Sequence, residues 1–182
     1  MDKREKLAYF SKYLDERGLI SGSEGNLSIR GEYGFWITAS GVIKGLTSYK
    51  EVCFVSWNGD FFNGKPSSEW GMHLKIYQSI KNAGAVVHTH STYALVLEKL
   101  GFDFSKFSLA EAELLLGKVG IVDFFPPGSK KLWEAVEKEA KNFKVILLKG
   151  HGVVTWEESI EKAVNLALIF EKLCLIEYLA LK

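Results

Sequence analysis

The chain has 182 residues, 47% of them hydrophobic and 13% aromatic, with a formal net charge of +1 at pH 7. This length suits one domain spanning 1–182, the apolar content excludes a disordered chain, and the balanced charge excludes the footprint of a nucleic-acid binder. The charged start Met1-Asp2-Lys3-Arg4-Glu5-Lys6 lacks the apolar core of a secretion signal, no stretch reaches membrane-spanning length, and Cys53 and Cys174 form no CxxC pair; the expectation is a cytoplasmic protein with two buried thiols and no disulfide.

Leu7, Phe10 and Leu14 recur at helical spacing and predict a helix over 2–17 that stops at Gly18. Residues 21–26 form a loop by composition. Short strands over 27–30 and 35–38 follow, joined by a hairpin turn at Gly31-Glu32-Tyr33-Gly34. Ala39-Ser40-Gly41 is a further loop. A strand over 52–57 leads to Asn58-Gly59, which has the composition of a tight hairpin turn. Ser67 or Ser68 is expected to cap a helix running to about Asn82. The β-branched run at 84–90 reads as a buried strand. Helices are expected near 92–100 and 109–117, a strand over 119–124 before Pro126-Pro127-Gly128, and an amphipathic helix over 130–141. Strands over 144–149 and 152–156 flank Gly150-His151. Thr155-Trp156-Glu157-Glu158 has the form of a capping box for a last helix, whose apolar stripe includes Ile160, Ala163, Val164, Ala167, Phe170 and Leu173. Early hairpins with helices at both ends predict a layered α/β domain with a mixed or antiparallel sheet, and there is no internal repeat.

His88-Thr89-His90 carries the sharpest chemical signal. Residues two apart on a strand share a face, so both imidazoles can converge on one ion. A third imidazole, His151, sits between Gly150 and Gly152, which permit a sharp turn aimed into a cleft. Three ligands with a free coordination position describe a catalytic zinc site. His73 lies mid-helix and reads as a packing or surface residue. Glu69 alone reads as a favourable charge in the first turn of a helix. The Ser67-Ser68 pair offers hydroxyls and amide donors at a helix N-terminus, which suits an anion. Gly25-Asn26, Ser40-Gly41 and Lys44 would add further donors and a positive charge. In combination they suggest a phosphate cradle.

The ordered segments Ser23-Glu24-Gly25-Asn26-Leu27-Ser28, Ile37-Thr38-Ala39-Ser40-Gly41, Pro66-Ser67-Ser68-Glu69, His88-Thr89-His90 and Gly150-His151-Gly152 resemble the class II aldolase and adducin head family over nearly the whole chain. The resemblance implies an α/β fold of three α/β/α layers around a central mixed, largely antiparallel sheet. It implies a Zn2+ ion on His88, His90 and His151 and a homotetramer with active sites at subunit interfaces. It also implies a phosphorylated ketose whose phosphate lies among Gly25, Asn26, Ser40, Gly41, Ser67 and Ser68.

Within that family the segment Ser40-Gly41-Val42-Ile43-Lys44 resembles the methylthioribulose-1-phosphate dehydratases of methionine salvage. So do Glu113-Leu114-Leu115-Leu116-Gly117, where the dehydratases carry a catalytic glutamate, and Trp156. The aldolases place a tyrosine acid in the comparable segment, and here no tyrosine lies between Tyr93 and Tyr178. The resemblance therefore implies a zinc lyase that dehydrates 5-methylthioribulose-1-phosphate to a 2,3-diketone. A Lewis-acid ion would stabilise the charge left when the C3 proton departs, and Glu113, or Glu111 in its place, would act as acid or base. Three alternatives stay open: a fuculose-phosphate aldolase with Glu69 as base, a ribulose-phosphate 4-epimerase, and a metal-free adducin-like interaction module.

Overall fold

Residues 85–89 are buried without exception, so the strand they form needs cover on both faces. The computed structural model describes residues 1–181 and supplies that cover. Among the described residues eight strands form one sheet: β1 (Asn26–Arg30), β2 (Gly34–Thr38), β3 (Val52–Ser56), β4 (Phe61–Phe62), β5 (Ala85–Thr89), β6 (Val119–Val122), β7 (Val145–Leu148) and β8 (Gly152–Glu157). Their spatial order is β4-β3-β2-β1-β5-β8-β7-β6. Neighbours run antiparallel except β6 and β7, which are parallel.

Among the described residues six α-helices flank the sheet: α1 (Lys3–Glu16), α2 (Trp70–Ser79), α3 (Thr92–Lys99), α4 (Ala110–Leu115), α5 (Lys130–Ala140) and α6 (Ile160–Ala180). The period-2 alternation of side chains divides the core between the two faces. Val86, Ile146 and Val154 pack with Met72 and Ile76 of α2 and Leu132 and Val136 of α5. On the other face Leu27, Ala85 and Val87 meet Leu7 and Leu14 of α1 and Ile160, Ala163 and Val164 of α6. Val145, Leu147 and Val153 meet α3, α4 and the rest of α6. This is the expected three-layer arrangement around a mixed, largely antiparallel sheet. Cys53 and Cys174 are free, buried thiols in separate clusters. No described helix is long and apolar enough to cross a membrane.

Several local expectations change. Helix α2 starts at Trp70 with Glu69 in the cap position, and neither Ser67 nor Ser68 caps it. It stops at Ser79, short of Asn82, because Ile80 is extended. The box at residues 155–158 is not a cap: Thr155 and Trp156 belong to β8, and Thr155 Oγ1 donates to the Ala163 carbonyl at 2.9 Å. Ser159 caps α6 instead, accepting from the Lys162 amide. Strand continuation across the sheet outweighs a local capping pattern here. The hairpin at Asn58-Gly59 is present as a three-residue loop, with the Gly59 amide on the Ser56 carbonyl and the Ser56 amide on the Asp60 carbonyl, and the strand it leads to has two residues, too few for a periodic signal. Ser159→Ala is expected to cost about 1 kcal/mol in urea unfolding with an unchanged m-value, the usual loss for an N-cap.

Candidate metal and anion site

His88 lies on β5 and its Nδ1 meets the Val153 carbonyl on β8 at 3.0 Å. That bond puts the ring proton on Nδ1 and leaves Nε2 as a bare lone pair. His90 follows just past the strand, its amide held by the Leu19 carbonyl. Its Nδ1 lies 3.1 Å from Glu24 Oε2, and this too leaves Nε2 as the acceptor nitrogen. The two Nε2 atoms stand 3.3 Å apart. His151 enters from the β7–β8 turn. A Cβ on Gly152 would sit 2.4 Å from the Thr89 carbonyl and 3.0 Å from the His88 ring, so only glycine lets this turn close on β5. Ring centroids of the three histidines are 4.8 to 5.3 Å apart.

Burial lowers the pKa of each ring. His88 is held well below its ordinary value by desolvation and by the His151 and His90 rings. His90 is lowered by burial, against the opposing pull of Glu24. His151 falls to about 4 through burial and the His90 ring. Neutral imidazoles with facing lone pairs repel one another unless a cation lies between them. His151 Nδ1 is also buried without a hydrogen-bond partner. One nitrogen from each ring lies within 4.8 Å of the others, so the set can hold a metal ion. All-imidazole ligation suits Zn2+.

Beside the rings is a cleft of about 250 Å³. Gly25 and Asn26, Ser40 and Gly41, and Ser67 and Ser68 all line it, as the sequence predicts. Backbone ties bring these loops together. The Ser40 amide bonds the Lys65 carbonyl, Ala39 bridges Pro66, and the Ser67 amide bonds the Thr38 carbonyl. Lys44 also lines the cleft, yet it is 1% exposed. Its Nζ donates to the carbonyls of Ser23, Val42 and Ala39 at 3.1, 3.0 and 3.5 Å. All three ammonium protons are thus engaged. Lys44 clamps the two loops together and offers an anion its charge rather than a fourth hydrogen bond. Burial lowers its pKa.

Glu69 lies in the same cleft, 4% exposed. The Gly128 amide donates to Oε1 at 2.7 Å, while Oε2 is buried with no partner. Burial raises the carboxyl pKa, opposed by the Gly128 bond. The default reading, a helix-end charge in water, fails because the group is desolvated.

Glu113 does not line the cleft of its own chain. Ala112 and Leu116 face the core beneath α4, which turns Glu113 outward to solvent. Glu111 lies 4.0 Å from Lys172 on the same outer side. Trp156 is a core residue whose Nε1 donates to the Phe143 carbonyl, so it says nothing about substrate.

His73 is neither simple packing nor surface. It is fully buried, with Nε2 2.6 Å from Asn26 Oδ1 and Nδ1 2.7 Å from Ser28 Oγ. Sequence reasoning also gave no role to Glu24, the partner of His90, or to Gly128, the partner of Glu69. Both contacts join segments distant in sequence, and no local pattern marks them.

The chain matches the model of the class II aldolase and adducin N-terminal domain over residues 5–178. The chain belongs to that family. It is 38% identical over 166 residues to an L-fuculose phosphate aldolase of Methanococcus maripaludis strain C7, covering 91% of each chain. It is 33% identical over 151 residues to the L-fuculose phosphate aldolase of Escherichia coli strain K12, covering 82% of this chain and 70% of that one. Among solved structures, L-fuculose-1-phosphate aldolase of Thermus thermophilus superposes with a TM-score of 0.89 at 25% identity, over 98% of this chain and 94% of that one. A further L-fuculose 1-phosphate aldolase gives 0.90 at 29%, over 98% and 86%. Membership of the class II aldolase family agrees with the resemblance read from the motifs. The names of the relatives favour the aldolase alternative over the dehydratase.

Two outcomes are expected of this class II aldolase domain. Zinc at a hundred to a thousand times its Kd should stabilise the fold by about 3–4 kcal/mol, and chelator should reverse this. Calorimetry of the chelated and reloaded protein checks it, with His151→Ala losing the effect. Separately, the folded pKa of His73 is near 3 against an ordinary 6.5. The unfolded chain therefore takes up a proton that the folded chain refuses. Stability is intact above pH 6.5 and falls progressively as pH drops toward 3. His73→Gln should show a shallower loss over that window in denaturant titrations.

Proposed function

We propose that this chain is a zinc-dependent lyase that cleaves the C3–C4 bond of a phosphorylated ketose, L-fuculose 1-phosphate or a close analogue. The observation that carries the reading is the desolvated Glu69 carboxyl in the same cleft as three converging neutral imidazoles and the loops of an anion cradle. The aldolase names of the relatives support the reaction. Site roles follow: His88, His90 and His151 hold the metal, while Gly25, Asn26, Ser40, Gly41, Ser67 and Ser68 receive the phosphate, with Lys44 bracing two of their loops.

Cleavage turns the C4 hydroxyl into an aldehyde, so that hydroxyl loses a proton to solvent in the open cleft and C3 gains one. A bound divalent ion supplies a Lewis acid that polarises the ketose carbonyl. Glu69 is the group suited to the C3 proton. Burial raises its pKa, so the carboxyl holds a proton more readily than one in water, and in that form it can deliver the proton to C3 after the bond breaks. As carboxylate it removes the same proton in the condensation direction. The cradle fixes the phosphate, and the fixed phosphate sets the distance from C3 to Oε2.

Dehydration of methylthioribulose 1-phosphate has less support within the single chain, although the stretch between Tyr93 and Tyr178 still offers no tyrosine acid for the aldolase. Lys44 is spent on backbone carbonyls, and Glu113 lies outside the cleft. Assembly into a homotetramer is the further proposal that would give Glu113 a neighbour's cleft to enter, and the exposed Leu114 and Leu115 beside it suit a covered face. An adducin-like module is disfavoured by the complete imidazole triad. Two buried thiols suit a reducing cytoplasm.

The zinc-loaded protein should cleave fuculose 1-phosphate, and Glu69→Gln should lower kcat by about 10²–10⁴-fold while zinc content stays constant. Turnover of methylthioribulose 1-phosphate or ribulose 5-phosphate, with none of fuculose 1-phosphate, would overturn the assignment.

A further inference from the structure

A buried chain of four polar side chains runs inward from the cleft. Asn26 Oδ1 is 2.6 Å from His73 Nε2, His73 Nδ1 is 2.7 Å from Ser28 Oγ, and Ser28 Oγ is 2.7 Å from Tyr77 Oη. Asn26 and Ser28 point to the same face of β1, toward α2, which carries His73 and Tyr77. Each of the four is 2% exposed or less. Buried polar groups cannot turn to water, so their protons must be shared out among themselves.

One sharing satisfies them all, and it starts from the Asn26 oxygen, which can only accept from His73 Nε2. Tyr77 Oη has Ser28 Oγ as its side-chain partner, and the nearby Val86 backbone favours the phenol's anionic form, as a backbone N–H does. The hydroxyl proton of Tyr77 then has Ser28 Oγ as its outlet. Ser28 in turn donates to His73 Nδ1. The ring is neutral, because burial holds its pKa near 3, so its single proton sits on Nε2 and is donated to Asn26. Reversing the chain, with the Asn26 NH2 group donating to His73, would strand the Tyr77 hydroxyl proton in the core with no acceptor. The Arg30 guanidinium lies 4.9 Å from the centroid of the Tyr77 ring, and its charge favours donation by the phenol.

We infer that His73 is a positioning residue: with Ser28 and Tyr77 behind it, it locks the Asn26 side-chain amide so that the carbonyl faces the core and the NH2 group faces the cleft as a fixed anion donor. An amide free to turn would present its carbonyl oxygen to a phosphate for part of the time, which repels it. Among the described residues no acceptor takes the Asn26 NH2, and Asn26 lines the cleft. The inference rests on the phosphate-cradle reading given above for the anion, and on the hydrogen-bond chain alone for the orientation.

Two measurements on the full-length, zinc-loaded protein test it. Long-range nitrogen–proton NMR of histidine-labelled protein is expected to show His73 as the Nε2–H tautomer, neutral through pH 5; an Nδ1–H tautomer would overturn the inference without any variant. Inorganic phosphate binding, followed by calorimetry, is then expected to weaken about tenfold or more in His73→Leu, the loss of roughly one oriented hydrogen bond. His73→Gln, whose amide can still donate toward Asn26, should recover most of the affinity, and zinc content should be equal in all three proteins. Equal phosphate affinity in wild type and His73→Leu, or no recovery in a folded His73→Gln, would overturn it. Wild-type protein that takes up no phosphate would overturn the sugar-phosphate reading instead, while the tautomer still decides how the Asn26 amide faces.

Discussion

Two imidazole nitrogens with their lone pairs facing each other at 3.3 Å are an unfavourable arrangement for a protein to build. The Val153 carbonyl holds one ring and the Glu24 carboxylate holds the other. Each partner takes the proton side of its ring and leaves the bare nitrogen pointing at its neighbour. The third ring adds a buried nitrogen with nothing to bond. Burial lowers the pKa of each ring, so protonation does not relieve the clash. A cation does, which is why the geometry reads as a metal site.

Everything around the triad follows from keeping it in register. The antiparallel pairing of β5 with β8 places the Val153 carbonyl beside His88, and the Gly152 turn brings His151 over both. The pairing of β1 with β5 puts Asn26 opposite His88, so the Gly25-Asn26 loop lies beside the imidazole triad by strand register. Lys44 then ties that loop to the next one through backbone carbonyls. The sheet thus sets the spacing between the three imidazoles and the loops of the cleft. Loops alone would set it less rigidly.

The site also concentrates energetic cost. An unpartnered Glu69 oxygen and an unpartnered His151 nitrogen each forfeit a hydrogen bond they would make in water, at about 1–3 kcal/mol per group. The covered core on both faces of the sheet offsets this. Such groups are what a ligand can satisfy, and the same desolvation raises the Glu69 pKa, the direction that suits a proton-transfer group. The inner relay through His73 carries no such deficit, since each of its members has a partner.

Sequence alone determined the elements and the candidate ligands. Period-3.6 and period-2 patterns located the helices and most strands, because burial on one face is a local property of the chain. His88-Thr89-His90 announced a shared face, since strand geometry repeats every second residue. The glycines around His151 announced a turn. Tertiary structure decided the rest. Thr155 became a strand residue because β8 had partners on both sides, and Ser159 took the cap it vacated. Glu113 faces outward from its own chain, since Ala112 and Leu116 claim the core side of α4, and a single chain's pattern carries no record of what such a residue meets. Lys44 looked like an anion ligand but is surrounded by carbonyls from three residues. Glu24, Gly128 and the His73 relay act through contacts across 45 or more residues, or across loops with no repeating pattern. Hydrogen-bond direction and desolvation depend on what the folded chain places nearby, and a linear pattern carries no record of that.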